Sequence, residues 1–191
     1  MRQTVCTGCN YSVRKLIITQ VKDKEADMAW DITLCNETPL RQAKIVLAKF
    51  KVRDTKSSIK FTLGGLAVKP LCRNISEAAF TYLKEHMPHL VEKDGVIYGC
   101  YDSNLRIEHV IPTEIVYRHL EKMAKNKTLT VKYVEHLIRN RLICAIITKE
   151  EDDHLTDAHL RSSMTVNGEW DFDHGDVFAR YNAVGIQMHA W

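Results

Sequence analysis

The sequence predicts an α+β protein: two strands separated by a pair of helices and closed by a third helix, with a smaller α/β region ahead of them. Two features carry this expectation. Short runs rich in β-branched residues recur along the chain, and between them lie longer segments whose apolar residues return every three or four positions. A hydrophobic fraction of 45% over 191 residues is enough to bury a core, and together with 27% charged residues it excludes a disordered chain.

Residues 13–21 and 29–35 read as strands from their β-branched and aromatic content, with the polar stretch Lys22–Asp27 as a hairpin connection. Thr38-Pro39 opens a helix, with proline at its first position, and Ile45, Val46 and Phe50 continue its apolar stripe. Residues 51–60 read as a linker, and Gly64-Gly65 and Pro70 as turns. Ser76 is a good N-cap for a helix carrying Ala79, Phe80, Leu83 and Met87, stopped by Pro88. A boundary near residue 74 then separates an accessory α/β region, 1–74, from a larger domain, 75–191.

In that larger domain Val96–Tyr101 reads as a strand, residues 102–104 as a turn, and Leu105–Ile111 as a second strand stopped by Pro112. One helix starts near Glu114 and carries Ile115, Val116, Leu120 and Met123; another starts at Thr130 and carries Val134, Leu137 and Ile138. Leu142–Ile147 is a short apolar strand. Thr148 and Glu151 then form a capping box, and the helix they open carries Asp152, His154, Leu155 and His159.

A net charge of +3 is too small for a protein that coats nucleic acid by charge alone. Basic residues do gather at Arg118, Lys122, Lys125, Lys127, Lys132, Arg139 and Arg141, a density that suits a solvated helix face as well as a phosphate-facing one. The longest apolar run, Leu142–Ile147, is far short of a membrane span, and the N-terminus has no apolar stretch resembling a secretion signal. The expected location is therefore cytoplasmic, with reduced cysteines. Cys6 and Cys9 have zinc-ligand spacing, which Cys35 and Cys72 would have to complete; ordinary thiols are the weightier reading. Asp171, Asp173 and Asp176 lack the later glutamate of a calcium loop.

The segment Leu105-Arg-Ile-Glu-His-Val-Ile-Pro112 sets a carboxylate beside an imidazole where a strand ends. In a regular strand Glu108 and His109 point to opposite faces, so both reach one site only if the strand breaks, as Pro112 suggests. A neutral imidazole can deprotonate water, because its ordinary pKa lies near neutrality. The same pair, taken alone, also suits a surface acid beside a hydrogen-bonded histidine.

Glu-His-Val-Ile-Pro resembles the Asp/Glu-His-x-x-Pro signature of the HNH, or ββα-metal (His-Me finger), endonucleases. The strand and capped helix from Leu142 to Leu155 resemble the second strand and helix of that motif, and the likeness covers about residues 96–160. It implies a ββα-metal core, hairpin plus helix, with a helical insertion and a small α/β N-terminal region. It also implies a metal-dependent endonuclease that hydrolyses DNA phosphodiester bonds, with His109 as general base and Glu108 as a metal ligand. Asn140 stands at roughly the place of the asparagine that steadies the base.

Asp152 and His154 compete for the remaining ligand position. Asp152 lies about 60° around the helix from the inward Leu155 and His154 about 100°, which favours Asp152. A carboxylate there favours Mg²⁺ or Mn²⁺ over Zn²⁺ as the divalent ion. The implied partner is double-stranded DNA, met by Arg118, Lys122, Lys125, Lys132, Arg139 and Arg141, with the protein acting alone or as a homodimer. Two departures from the family pattern stand out: the long helical insertion, and the lack of one clear counterpart to the final histidine. They keep open a non-enzymatic nucleic-acid- or protein-binding module on a degenerate nuclease scaffold, and a metal-dependent hydrolase of another phosphoester.

Overall fold

Side-chain caps set most of the helix starts in the computed structural model, which describes residues 38–67, 71–97, 102–166 and 168–189. The two strands expected before Thr38, and with them Cys6, Cys9 and Cys35, lie outside the described residues. Thr38 accepts the Arg41 N–H and opens α1 (Pro39–Lys51). The linker expected over 51–60 is a turn that leads straight into α2 (Lys56–Ala67), and Gly64-Gly65 lie inside this helix rather than in a turn. Ile59, Leu63 and Leu66 share one face of α2 and are all but fully buried. Their burial outweighs the roughly 1 kcal/mol that each interior glycine costs a helix.

Strands β1 (Leu71–Cys72), β2 (Val91–Glu92) and β3 (Gly95–Ile97) form an antiparallel sheet in the order β1-β3-β2. Between β1 and β2, Ser76 caps α3 (Glu77–His86), as expected, by accepting the Ala79 N–H at 3.1 Å. A second sheet pairs β4 (Leu105–His109) with β5 (Cys144–Thr148) antiparallel, from Leu105 opposite Thr148 to His109 opposite Cys144. The strand expected to reach Ile111 leaves the ladder at His109, although Val110 still donates to the Ile143 carbonyl at 3.0 Å.

Helices α4 (Thr113–Lys125) and α5 (Val131–Asn140) form the insertion between β4 and β5. Thr148 and Glu151 make the expected capping box at the start of α6 (Lys149–Asp157). Glu151 also accepts a hydrogen bond from Ser76 at 2.5 Å, which ties α6 to the cap of α3. A short α7 (Ala179–Ala183) follows near the C-terminus.

The fold is α+β, and the strand, helical insertion, strand and helix follow one another in the expected order. Residues on both sides of position 74 share one core: Ala43, Val46, Ile59 and Leu63 pack in a cluster with Val116, Leu120, Val134 and Leu137. Another cluster joins Val110, Ala145 and Ile147 to Leu155 and Tyr181, laying α6 and α7 against one face of the β4–β5 ladder. The C-terminal segment wraps back over the domain. Phe172 stacks on His119 with 3.9 Å between ring centroids, Tyr133 donates to Asp173 at 2.5 Å, and His189 donates its N–H to the Ile75 carbonyl. His119 is therefore half-buried. No described helix is long and apolar enough to cross a membrane.

Candidate active site at the end of strand β4

Strand alternation decides where the Glu-His pair points. Because β4 stays regular through His109, the expected break near Pro112 does not turn both side chains to one face. Glu108 pairs across the ladder with Ala145 and so looks toward α6 and α7, whereas His109 pairs with Cys144 and looks toward α2. Beyond the strand end both residues line a cleft of about 330 Å³. Lys60, Pro112, Thr113, Glu114, Arg161 and Ser162 complete its wall.

Glu108 accepts a hydrogen bond from Arg180 Nη2 at 2.7 Å. Arg180 is completely buried on α7, and its other N–H groups donate to the carbonyls of Val110 (3.0 Å), Leu160 (3.1 Å) and His109. The guanidinium thus clamps the end of β4 to the segment after α6. A buried cation needs its counter-charge, and Glu108 supplies it.

His109 Nε2 lies 3.3 Å from the Gly64 carbonyl, a bond that places the proton on Nε2 and the lone pair on Nδ1. Burial holds the imidazole pKa below its ordinary value, more than the Gly64 carbonyl and the Glu108 charge raise it. Burial therefore favours the neutral form of the ring. Glu114 gathers Lys56 at 2.7 Å, Lys60 at 3.0 Å and Arg118 at 2.8 Å, and these partners hold its carboxyl down to about 2.

The other expected site residues are dispersed. Asp152 is in the first turn of α6, which starts at the end of the ladder where Leu105 meets Thr148; three strand residues, roughly 10 Å, separate that end from Glu108. His154 is exposed on the same helix. Asn140 ends α5, exposed, with its amide on the ring nitrogen and carbonyl of His136. Among the described residues no three His, Cys, Asp or Glu side chains converge as an ion would require. With Glu108 already matched to Arg180, this donor set does not fit a divalent ion. Cys72 is buried, which pushes its thiol up, and its sulfur donates to the Asn74 carbonyl at 3.2 Å.

Of the basic residues assigned to nucleic acid, Arg118 pairs with Glu114, Lys125 with Glu121 and Arg139 with Glu135, each one helical turn away. Arg141 donates to the carbonyls of Gly175 and Asp173 in the C-terminal wrap. Lys122 and Lys132 are exposed. Residues 113–140 therefore carry six Lys or Arg against three Glu, and the three ion pairs leave Lys122, Lys127 and Lys132 as the insertion's unmatched charge among the described residues. Lys60 and Arg161, which line the cleft, were not signalled by the sequence, Lys60 because α2 reads as linker and turn, and Arg161 because it follows α6 in an irregular segment.

No family model, no curated protein and no solved structure matches the chain.

Proposed function

We propose that the chain hydrolyses phosphodiester bonds of nucleic acid with His109 as general base. One observation carries the reading: an imidazole lines a cleft whose wall also holds Lys60 and Arg161. An imidazole so placed can take the proton of an attacking water, a contribution of about 10²–10⁴-fold in rate. Lys60 and Arg161 are the side chains available to balance charge growing on the phosphoryl oxygens. DNA stays the expected substrate. Because Glu108, Asp152 and His154 do not come together as an ion site, the reading rests on the base and the two cations.

A second reading, a nucleic-acid- or protein-binding module on a degenerate nuclease scaffold, is favoured by the capture of Glu108 by Arg180. Supercoiled plasmid incubated with the pure chain in Mg²⁺, Mn²⁺ or chelator separates the two, with His109→Gln run in parallel. Glutamine can still donate to the Gly64 carbonyl, so the fold is preserved. The hydrolase reading expects nicking by the wild type and a drop of about 10²-fold or more in the variant. Nicking that survives the substitution removes His109 from the role, and retarded but uncut plasmid in every condition favours the binding module.

A further inference from the structure

Positive charge is in surplus beside the His109 cleft. Lys56 and Lys60 from α2 and Arg118 from α4 converge on the one carboxylate of Glu114, three cations on a single anion. Arg161 joins the cleft wall from the segment after α6; it is exposed and makes no ion pair among the described residues. Glu108 does not redress the balance, since its charge is matched by Arg180. Among the described residues the region thus holds two cations more than Glu114 neutralises, and Arg161 makes a third. Uncompensated cations around a concave site raise the local concentration of anions. The volume of about 330 Å³ is at the lower end of small-molecule sites, roughly 300–1,000 Å³, and so suits one backbone group rather than a folded partner. Thr113 and Ser162 add hydroxyl groups to the same wall.

We propose that Lys60 and Arg161 bind one backbone phosphate of a nucleic acid beside His109. Arg161 brings a planar fork that can take two phosphate oxygens, and Lys60 a compact point charge. The proposal deepens the phosphodiester reading and moves the contact surface from the helical insertion to the mouth of the cleft.

Binding, measured apart from cleavage, tests it. The parent is His109→Gln, titrated against a fluorescent DNA duplex and a single-stranded oligonucleotide at several salt concentrations. Adding Lys60→Gln or Arg161→Gln should weaken binding about tenfold, as for loss of one charged hydrogen bond, and lower the salt slope by about one. Lys60→Arg should restore most of the loss. Variants that bind like the parent, while Lys122→Gln or Lys132→Gln bind more weakly, overturn the assignment in favour of the insertion. A Lys60→Gln loss that Lys60→Arg does not restore, or a parent that binds neither probe, overturns it as well. The two proposals fail separately. A wild type that binds through Lys60 and Arg161 without cutting keeps this site and loses the hydrolase; one that cuts while both variants bind normally does the reverse.

Discussion

On one face of β4, Glu108 meets a guanidinium that solvent does not reach; on the other, His109 meets a backbone carbonyl of α2 and opens onto the cleft. The two are adjacent in sequence, carry what reads as one motif and line the same cleft, yet their hydrogen-bond partners lie on opposite faces of the strand. The Glu108 face is a buried polar network in which Arg180 binds three carbonyls and one carboxylate. The His109 face joins a half-buried ring to a polar, charged cleft. The difference teaches that a strand can divide a two-residue motif by its pleat, setting one residue against a buried guanidinium and the other against a neighbouring helix.

Breaking the Glu108 face should have the largest effect. Arg180→Met leaves Glu108 without its counter-charge and the Val110, Leu160 and His109 carbonyls without donors. Loss of one partner from such a buried pair costs about 3–5 kcal/mol, and thermal unfolding should show the melting temperature lowered by roughly 10 °C. A shift of only a degree or two would make the clamp incidental and erase the contrast between the faces.

Acid should act on the other face. Burial lowers the pKa of His109, and likewise of His119 beneath Phe172. Below the ordinary imidazole value of about 6.5 the unfolded chain takes up protons that the folded chain refuses. Stability is therefore whole above that pH and declines as pH falls through 6.5 toward the lowered folded values, by at most about 1.4 kcal/mol per pH unit per imidazole. Urea midpoints at pH 7.5 and 5.5 measure the slope, and His109→Gln should flatten it. A wild-type midpoint that rises on acidification would contradict the account.

The smallest effect sharpens the comparison through α2. A Cβ added at Gly65 meets nothing within 4 Å, so Gly65→Ala should stabilise the helix by about 0.5–1 kcal/mol. The same denaturation assay reads it. Destabilisation would mean that α2 needs its glycine for close packing behind His109.

Most of the elements after residue 74 were legible, because caps and periodicity are local. Thr38, Ser76, Thr130 and Thr148 each accept a hydrogen bond from a backbone N–H near the start of the helix they precede. Helix α2 was hidden, since Gly64-Gly65 signals a turn locally and only packing against the core reveals the helix. The pairing of β3 with β1 and β2 rather than with β4 was equally out of reach, because strand pairing is a long-range choice. At the candidate site, the Glu-His pair lines the cleft and alternation gave the direction of each side chain. Arg180 could not be foreseen: it lies 72 residues from Glu108 in a segment without periodicity, and its meaning comes from the carbonyls around it. Asp152 was judged by its angle around α6, which says nothing of its height along the ladder.

The division of labour on β4 is tested most directly by thermal unfolding of Glu108→Gln in the presence of chelator, where no divalent ion can contribute. If Glu108 serves as the counter-charge of Arg180, the substitution leaves a buried cation facing a neutral amide, and the melting temperature should fall by about 6–12 °C, corresponding to roughly 3 kcal/mol. A melting curve that overlays the wild type would show that Arg180 does not depend on this carboxylate, and would return Glu108 to the metal-ligand role that its sequence motif suggests.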